Sequence, residues 1–346
     1  MKFPENLEKK FQEARERVSG FVDEKADKES EKSDEKIKKM ELETEDQLKR
    51  LEYFIKNQKT TSPKEQLLRT NNFETTNKIL GGVEGGTQFV RIKEDGNAVF
   101  KPYSMVPKDQ KINYIQRERA AYLVNQFIGF DLVPPTVIKE VLIGSEFDAK
   151  KKSFLAKTNE DKYEIGVLQE FVENSFVGTE YDRRKIPKNE AVKIFIYDIL
   201  IANTDRHLGN FLMKNGKIIA IDHGNSMTQK HVYNPNLFKF QPDFAVLHII
   251  QESIPDEIIK ILTNFKNNEI GQKILEEQLS ELLGSEIANA YINRIKIFIY
   301  CIDENNKFDA NKFTEALEIV SKETRKNDPI KKEMDKEIIK MAFKSV

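Results

Sequence analysis

The chain has 346 residues, 39% hydrophobic and 33% charged, with 56 Lys and Arg against 57 Asp and Glu. That composition allows two domains, or one bilobal domain with an extension, and argues against a globally basic nucleic-acid binder. A single cysteine, Cys301, excludes an internal disulfide framework or cysteine-based zinc site, and no stretch reads as a signal peptide or transmembrane helix, so a soluble protein of a reducing compartment is expected.

Residues 1–70 are expected to form a charged helical extension. Charges of both signs interleave between residues 23 and 50, no proline or glycine falls between Phe21 and Ser62, and Leu48, Leu51 and Ile55 recur at helical spacing. The expectation is a solvated helix with one face laid on the main body, with a partner-binding arm as the alternative.

Residues 71–173 read as a strand-rich lobe. Two runs, 87–93 (TQFVRIK) and 98–101 (AVFK), flank a turn with Asp95-Gly96 and predict a hairpin. A helix is predicted over 111–127, stopped by Gly129, then a strand over 136–143, a charged loop over 145–162 and an apolar strand over 165–172. Residues 174–346 read as mainly helical, with helices over 189–202, 255–265, 270–283, 285–302 and 310–322. Within them Asn215-Gly216 joins 211–213 to 218–221 as a second hairpin. The predicted fold class is therefore α+β, with a cleft between two lobes that join near residues 172–175, where ligand sites commonly lie.

The chemistry concentrates in residues 203–225, NTDRHLGNFLMKNGKIIAIDHGN. Asp205 follows a helix on a loop, Asn210 immediately precedes one hairpin strand, and Asp222 follows the other. The tight turn folds the strands together, so Asn210 and Asp222 converge at the open end and offer two oxygen ligands to a divalent metal, while Asp205 stays free for a substrate hydroxyl. This is the layout of phosphoryl transfer in protein-kinase-like folds. Each Asp alone reads as an ordinary turn residue; the combination with Asn210 and the hairpin is the signal. His207 is expected to support the loop or to hydrogen-bond near the transferred phosphate, and His223 to be a packing residue. Arg206 is expected to be a phosphate or structural contact.

TDRHLGN followed by IAIDHG resembles the catalytic and metal-binding segments of the phosphatidylinositol 3-/4-kinase-like kinases, and in particular a bacterial branch with HipA-like and secreted effector kinases. The resemblance covers about residues 75–250. It implies a protein-kinase-like fold, ATP and Mg²⁺ or Mn²⁺, with Asp205 catalytic and Asn210 and Asp222 as metal ligands. It further implies an ATP-anchoring lysine, for which Lys101 in VFKP stands in place, and a helix glutamate to pair with it, for which Glu118 does. Lys101 reads otherwise as a surface lysine at a strand end, and Glu118 as part of a solvated Glu–Arg face. Gly85, Gly86 and Thr87 close a glycine-rich stretch before the first hairpin that is expected to cover phosphates or to be a plain flexible turn; Thr87 stands where a Walker A loop needs lysine. Gln169, Glu170, Phe171 and Val172 resemble the adenine-binding hinge. Leu212 and Ile221, with Val99 and Val133, are candidates to sandwich the adenine, and each reads equally as core.

The function so implied is a metal-dependent kinase that transfers the γ-phosphate to protein Ser/Thr, its own included. The alternatives are a phosphoinositide lipid kinase, a pseudokinase binding module and a nucleotidyl transferase. Arg183, Arg184, Lys185 and Lys188 precede a helix N-terminus and form a candidate polyanion site, for an inositol phosphate or anionic lipid regulator or, read plainly, a solvated face. Residues 331–344 form a basic amphipathic helix candidate. Location in the cytoplasm, or secretion into a host cell cytosol, is an expectation from compositional style.

Overall fold

The computed structural model describes residues 53, 55–60, 62–70, 74–80, 89–93, 98–103, 113–143, 147–148, 153–154, 162–228 and 253–325. The predicted arm before residue 53, the glycine stretch with Gly85, Gly86 and Thr87, the turn at 94–97, and the tail at 331–344 lie outside these residues, as does the side chain of Arg183.

Period-two runs rich in β-branched residues give the first half its strands. They are β1 (Glu74–Leu80), β2 (Phe89–Lys93), β3 (Ala98–Pro102), β4 (Thr136–Ile143), the short β5 (Phe147–Asp148) and β6 (Ser153–Phe154), and β7 (Lys162–Glu170). Five of them close into a barrel in the order β1-β2-β3-β7-β4, sealed by a parallel bridge of Glu74 with Leu142. Strand β7 lies between β3 and β4, with Lys101 opposite Val167 and Ile138 opposite the same residue on the other side. Residues Val167 and Leu168 are both buried, as a central strand requires.

Two helices belong to this lobe: α1 (Pro63–Thr70) and α2 (Tyr114–Ile128). Neighbouring residues on a strand face opposite ways. Phe100 therefore enters a core cluster with Ala98, Val137, Val141, Leu168 and Leu68 of α1. Lys101 turns the other way, to α2, which ends at Gly129, whose N–H donates to Asn125 O at 2.9 Å.

The second half is mostly helical. It runs β8 (Phe176–Val177), α3 (Lys188–Leu200), β9 (Phe211–Lys214), β10 (Lys217–Ala220), α4 (Asp256–Asn267), α5 (Glu269–Leu283), α6 (Ser285–Tyr300) and α7 (Ala310–Arg325). Every residue of α3 from Ile194 to Leu200 is buried, so it is a central helix rather than a surface one. Strands β9 and β10 pair in register from Lys214 with Lys217 to Phe211 with Ala220. Their turn holds Asn215 at φ 52° and Gly216 at φ 77°, the two left-handed residues of a type I′ turn. On the far side, Phe298 stacks on Phe308 at 4.5 Å and meets Phe313 edge-on at 5.8 Å.

The α+β class read from the sequence, a strand-rich part followed by a mainly helical one, is the class observed. Three details differ. The stretch 145–162, read as loop, contains the β5–β6 ladder, too short to show a periodicity. The last strand of the barrel ends at Glu170, so Phe171 and Val172 lie beyond it, where Glu170 N already bonds to Pro135 O at 2.8 Å. Helix α2 begins at Tyr114, after Asn113 takes a left-handed φ of 61° that a helix cannot include. Buried contacts also cross the boundary expected near residue 70: Gln58, Glu65 and Leu68 are all buried in the strand-rich lobe.

Candidate active site

The loop after α3 is built around a buried arginine. Arg206 donates through Nε and Nη2 to the Asp198 carboxylate at 3.1 Å, and through Nη1 to Ile221 O at 2.8 Å and to Asn210 O. Asn203 Nδ2 donates to the same Asp198 at 2.9 Å. A planar guanidinium with five N–H groups suits this task, because it bridges one carboxylate and two carbonyls at once. The bridge fastens the end of α3, the start of β9 and the end of β10 to one another. Ile221 N returns a bond to Asn210 O at 3.1 Å. Asp205 and Asn210 are thereby held together: Asn210 Nδ2 donates to Asp205 O at 2.7 Å. With its nitrogen committed there, the amide turns Oδ1 elsewhere. The Asp205 side chain is exposed, and its Oδ2 accepts from Asn225 Nδ2 at 2.9 Å.

A second cluster forms on the other side of Asp222. Lys101 Nζ is paired with Glu118 Oε1 and lies 3.0 Å from Asp222 Oδ1. Burial alone would lower the lysine's pKa, but the carboxylates of Asp222 and Glu118 outweigh it and raise it, so the ammonium stays charged. Burial would likewise raise Glu118, and the Lys101 charge beside it, with a smaller contribution from His223, drives it down instead. The pair is thus an ionised one in a dry setting, where losing either partner costs about 3–5 kcal/mol.

The first turns of α2 grip the segment Asp222–Gly224 at three successive residues. Tyr114 OH donates to Asp222 Oδ1 at 2.7 Å, His223 N donates to Glu118 Oε2 at 3.0 Å, and Arg117 Nη1 donates to Gly224 O at 3.1 Å. Asp222 is at φ 59°, a left-handed conformation costing about 1–2 kcal/mol in an L residue, which this grip maintains. His223 is fully buried, its ring edge-on to Tyr197 at 5.8 Å, and burial lowers its pKa, so the imidazole is neutral. Gly224 is required by contact: a Cβ there would stand 1.9 Å from the Tyr114 ring. Gly224→Ala must push that ring away and break its bond to Asp222. A loss of about 1–3 kcal/mol is expected, read as a lower midpoint in thermal unfolding; an unchanged midpoint contradicts the packing described.

Asn210 and Asp222 present an amide and a carboxylate oxygen, hard donors fit for Mg²⁺ or Mn²⁺ when phosphate oxygens and water complete the shell. Among the described residues, the hydrogen bonds that Asp222 accepts both fall on Oδ1, and the side chain is 25% exposed. No group of three His, Cys, Asp or Glu there could hold a metal alone.

The remaining predicted positions are distributed as follows. His207 is exposed, and its Nδ1 accepts from Gly209 N at 3.0 Å, capping the 3₁₀ turn Leu208–Asn210. Leu212 and Ile221 are half-buried on and after the hairpin, and Ala220 N bonds to Leu132 O at 2.8 Å. Gln169 is buried and donates to Thr136 Oγ1 at 2.8 Å; Glu170 accepts from Lys64 at 2.6 Å; Phe171 and Val172 are half-buried. In the basic group, Arg184 is engaged by Asp182 at 3.0 Å, while Lys185 and Lys188 are exposed. The sequence alone assigns no role to Tyr114, Arg117 or Asp198, which the structure places around the site. The spacing Tyr114-x-x-Arg117-Glu118, one helical face, was the available signal.

The sequence profile of the family "Phosphatidylinositol 3- and 4-kinase" matches residues 87–258. Phosphatidylinositol 4-kinase gamma 5 of Arabidopsis thaliana is 27% identical over 227 residues, 61% of this chain and 33% of that protein. Phosphatidylinositol 4-kinase gamma 4 of Oryza sativa subsp. japonica is 34% identical over 128 residues, 33% of this chain and 20% of that protein. The chain thus spans a third or less of the length of these curated relatives. Among solved structures, the Golgi casein kinase aligns with a TM-score of 0.45 and 16% identity over 75% of this chain and 76% of that one. The stretch that holds Lys101, Glu118, Asp205, Asn210 and Asp222 is therefore similar in sequence to the phosphatidylinositol 3- and 4-kinase family.

Proposed function

We propose that the protein is an ATP- and divalent-metal-dependent kinase whose site is the junction of the two clusters above. The observation that carries this reading is Lys101, held between Glu118 and Asp222, with Asp222 tied through Ile221 and Arg206 to Asn210 and Asp205. In this reading the strand-rich residues 71–173 cover the nucleotide and residues 174–346 carry the catalytic loop. Lys101 binds phosphate oxygens of ATP, and Glu118 fixes the ammonium so that its charge is in place before the nucleotide arrives. Asn210 and Asp222 hold the metal, which when bound neutralises charge on the phosphates. Asp205 orients the acceptor hydroxyl and takes its proton as the new O–P bond forms and the bond to ADP breaks. His207 keeps the loop in shape. The hinge residues and the pair Leu212 and Ile221 serve adenine.

The acceptor has two readings. A protein Ser/Thr hydroxyl is the expectation from the sequence. A phosphoinositide hydroxyl gains support from the family profile and from relatives named phosphatidylinositol 4-kinases. The test is transfer of γ-phosphate label from ATP with Mg²⁺ or Mn²⁺ to the protein itself, to a basic protein and to phosphoinositide vesicles. Label on protein supports the first reading and label on lipid the second; no label on any acceptor contradicts the proposal. Asp205→Ala should lower kcat by about a hundredfold or more and leave ATP affinity within about threefold, as expected for a group that acts on the acceptor. A loss of ATP affinity with unchanged turnover contradicts that role.

A further inference from the structure

Helix α1 lies outside the residues matched by the kinase family profile, yet it holds a fully buried ion pair with the helix that carries Glu118. Arg119, the next residue after Glu118, has no solvent exposure, and neither does Glu65. Arg119 Nη1 donates to Glu65 Oε1 at 2.5 Å and to Thr136 O at the start of β4, and Nη2 donates to Lys59 O at 3.1 Å. Tyr122 OH, one turn further along α2, donates to Glu65 Oε2 at 3.2 Å. Both carboxylate oxygens of Glu65 thus hold α2, at residues three apart on one face.

The same segment is seated firmly on the sheet. Gln58 Nε2 donates to Ile138 O at 2.7 Å in a buried setting, and Lys139 Nζ donates to Arg69 O at 2.9 Å. Leu68 enters the core cluster beside Phe100, the neighbour of Lys101. One short segment therefore fixes the position of α2 relative to β3 and β4, and the meeting of Glu118 with Lys101 depends on that relation. Charged groups so deeply buried are costly unless their geometry is used, since an apolar pair of similar volume is often as stable.

We propose that Glu65 is a positioning residue for the Lys101–Glu118 pair, acting through Arg119 and Tyr122, so that residues 58–70 are a working part of the catalytic lobe. The inference rests on the kinase reading for its functional consequence, while its structural half stands apart from activity. The test uses the full chain and Glu65→Gln, which keeps the size and removes the charge. Amide hydrogen exchange in residues 114–121 and 222–226 should accelerate about tenfold or more, because the bond from His223 N to Glu118 reports the position of α2, while exchange in α7, which does not pack on α2, stays unchanged. In the same preparation the KM for ATP should rise about tenfold, which a mere loss of folded protein would not produce.

Combined with Glu118→Gln, the second substitution should add little to the first, since both act through one pair. If Glu65→Gln does not fold, Glu65→Asp carries the same measurements, with the charge kept and the reach shortened. Unchanged exchange at 222–226, or equal acceleration throughout the protein, overturns the proposal. Wild type that transfers no label, with exchange altered at 222–226 as expected, supports the coupling and overturns the kinase reading alone.

Discussion

Replacing Asp222 with alanine is expected to abolish phosphoryl transfer, by at least about a thousandfold, in a protein that remains folded. The expectation follows from where this carboxylate stands. It is one-quarter exposed just after β10, and it meets the buried side chains of Lys101 and Tyr114 through polar tips rather than apolar packing. Its removal leaves Lys101 paired with Glu118, so the buried ammonium keeps a counter-charge and the lobe keeps its ion pair. What disappears is the only carboxylate in the pair Asn210 and Asp222, and an amide oxygen alone holds a divalent ion weakly. A single stabilising group lost from a phosphoryl or acyl transition state commonly costs about a hundred- to a thousandfold, and loss of the metal removes more than one such contact. Steady-state transfer from labelled ATP, measured beside a thermal melt, checks both halves. Retained turnover contradicts the metal assignment, and a collapsed melt contradicts the description of Asp222 as lying outside the core.

The largest effect on stability is expected from Asp198→Ala. Arg206 has no exposed side-chain surface and Asp198 only 3%. Alanine at 198 leaves a guanidinium buried with two carbonyl partners and no counter-charge, and strips Asn203 of its acceptor. Uncompensated burial of this kind costs about 3–5 kcal/mol, a large fraction of the 5–15 kcal/mol typical of a folded domain. At about 2–4 °C per kcal/mol, calorimetry should show the unfolding midpoint fall by roughly 10 °C. Asp198→Asn, which keeps the volume and one of the two acceptor oxygens, should lose less. A fall of under about 2 °C for the alanine variant contradicts the account of this loop as one built on Arg206.

Local signals made much of the fold legible in the sequence. Asn215-Gly216 between apolar runs marks the β9–β10 hairpin because only a primed turn matches strand twist, and the observed φ angles are those of that turn. The helices from α3 onward appear within a few residues of their expected ends, since burial of one face imposes a 3.6-residue period. At the site, Lys101 lies against Glu118, the partner that the family resemblance implied, whereas the bond from Asn210 to Asp205 O had no signal in the sequence. What stayed hidden was tertiary. Asp198 is a lone charge in the apolar run 194–202, and only the fold shows that it faces an arginine eight residues on. Glu65 sat in a stretch so rich in solvated charge that composition concealed a buried one. Tyr114 carries no local signal of its role, because its bond to Asp222 spans 108 positions of sequence.

The central claim is that the two clusters joined at Asp222 form one site for ATP and a divalent metal. The most direct measurement is calorimetric titration of the full chain with ATP in Mg²⁺, in Mn²⁺ and in chelator, repeated with Asp222→Ala. The account predicts saturable one-to-one binding that metal strengthens by about tenfold or more, and no such strengthening in the variant. Absence of ATP binding with either metal, or equal affinity in chelator, would contradict it.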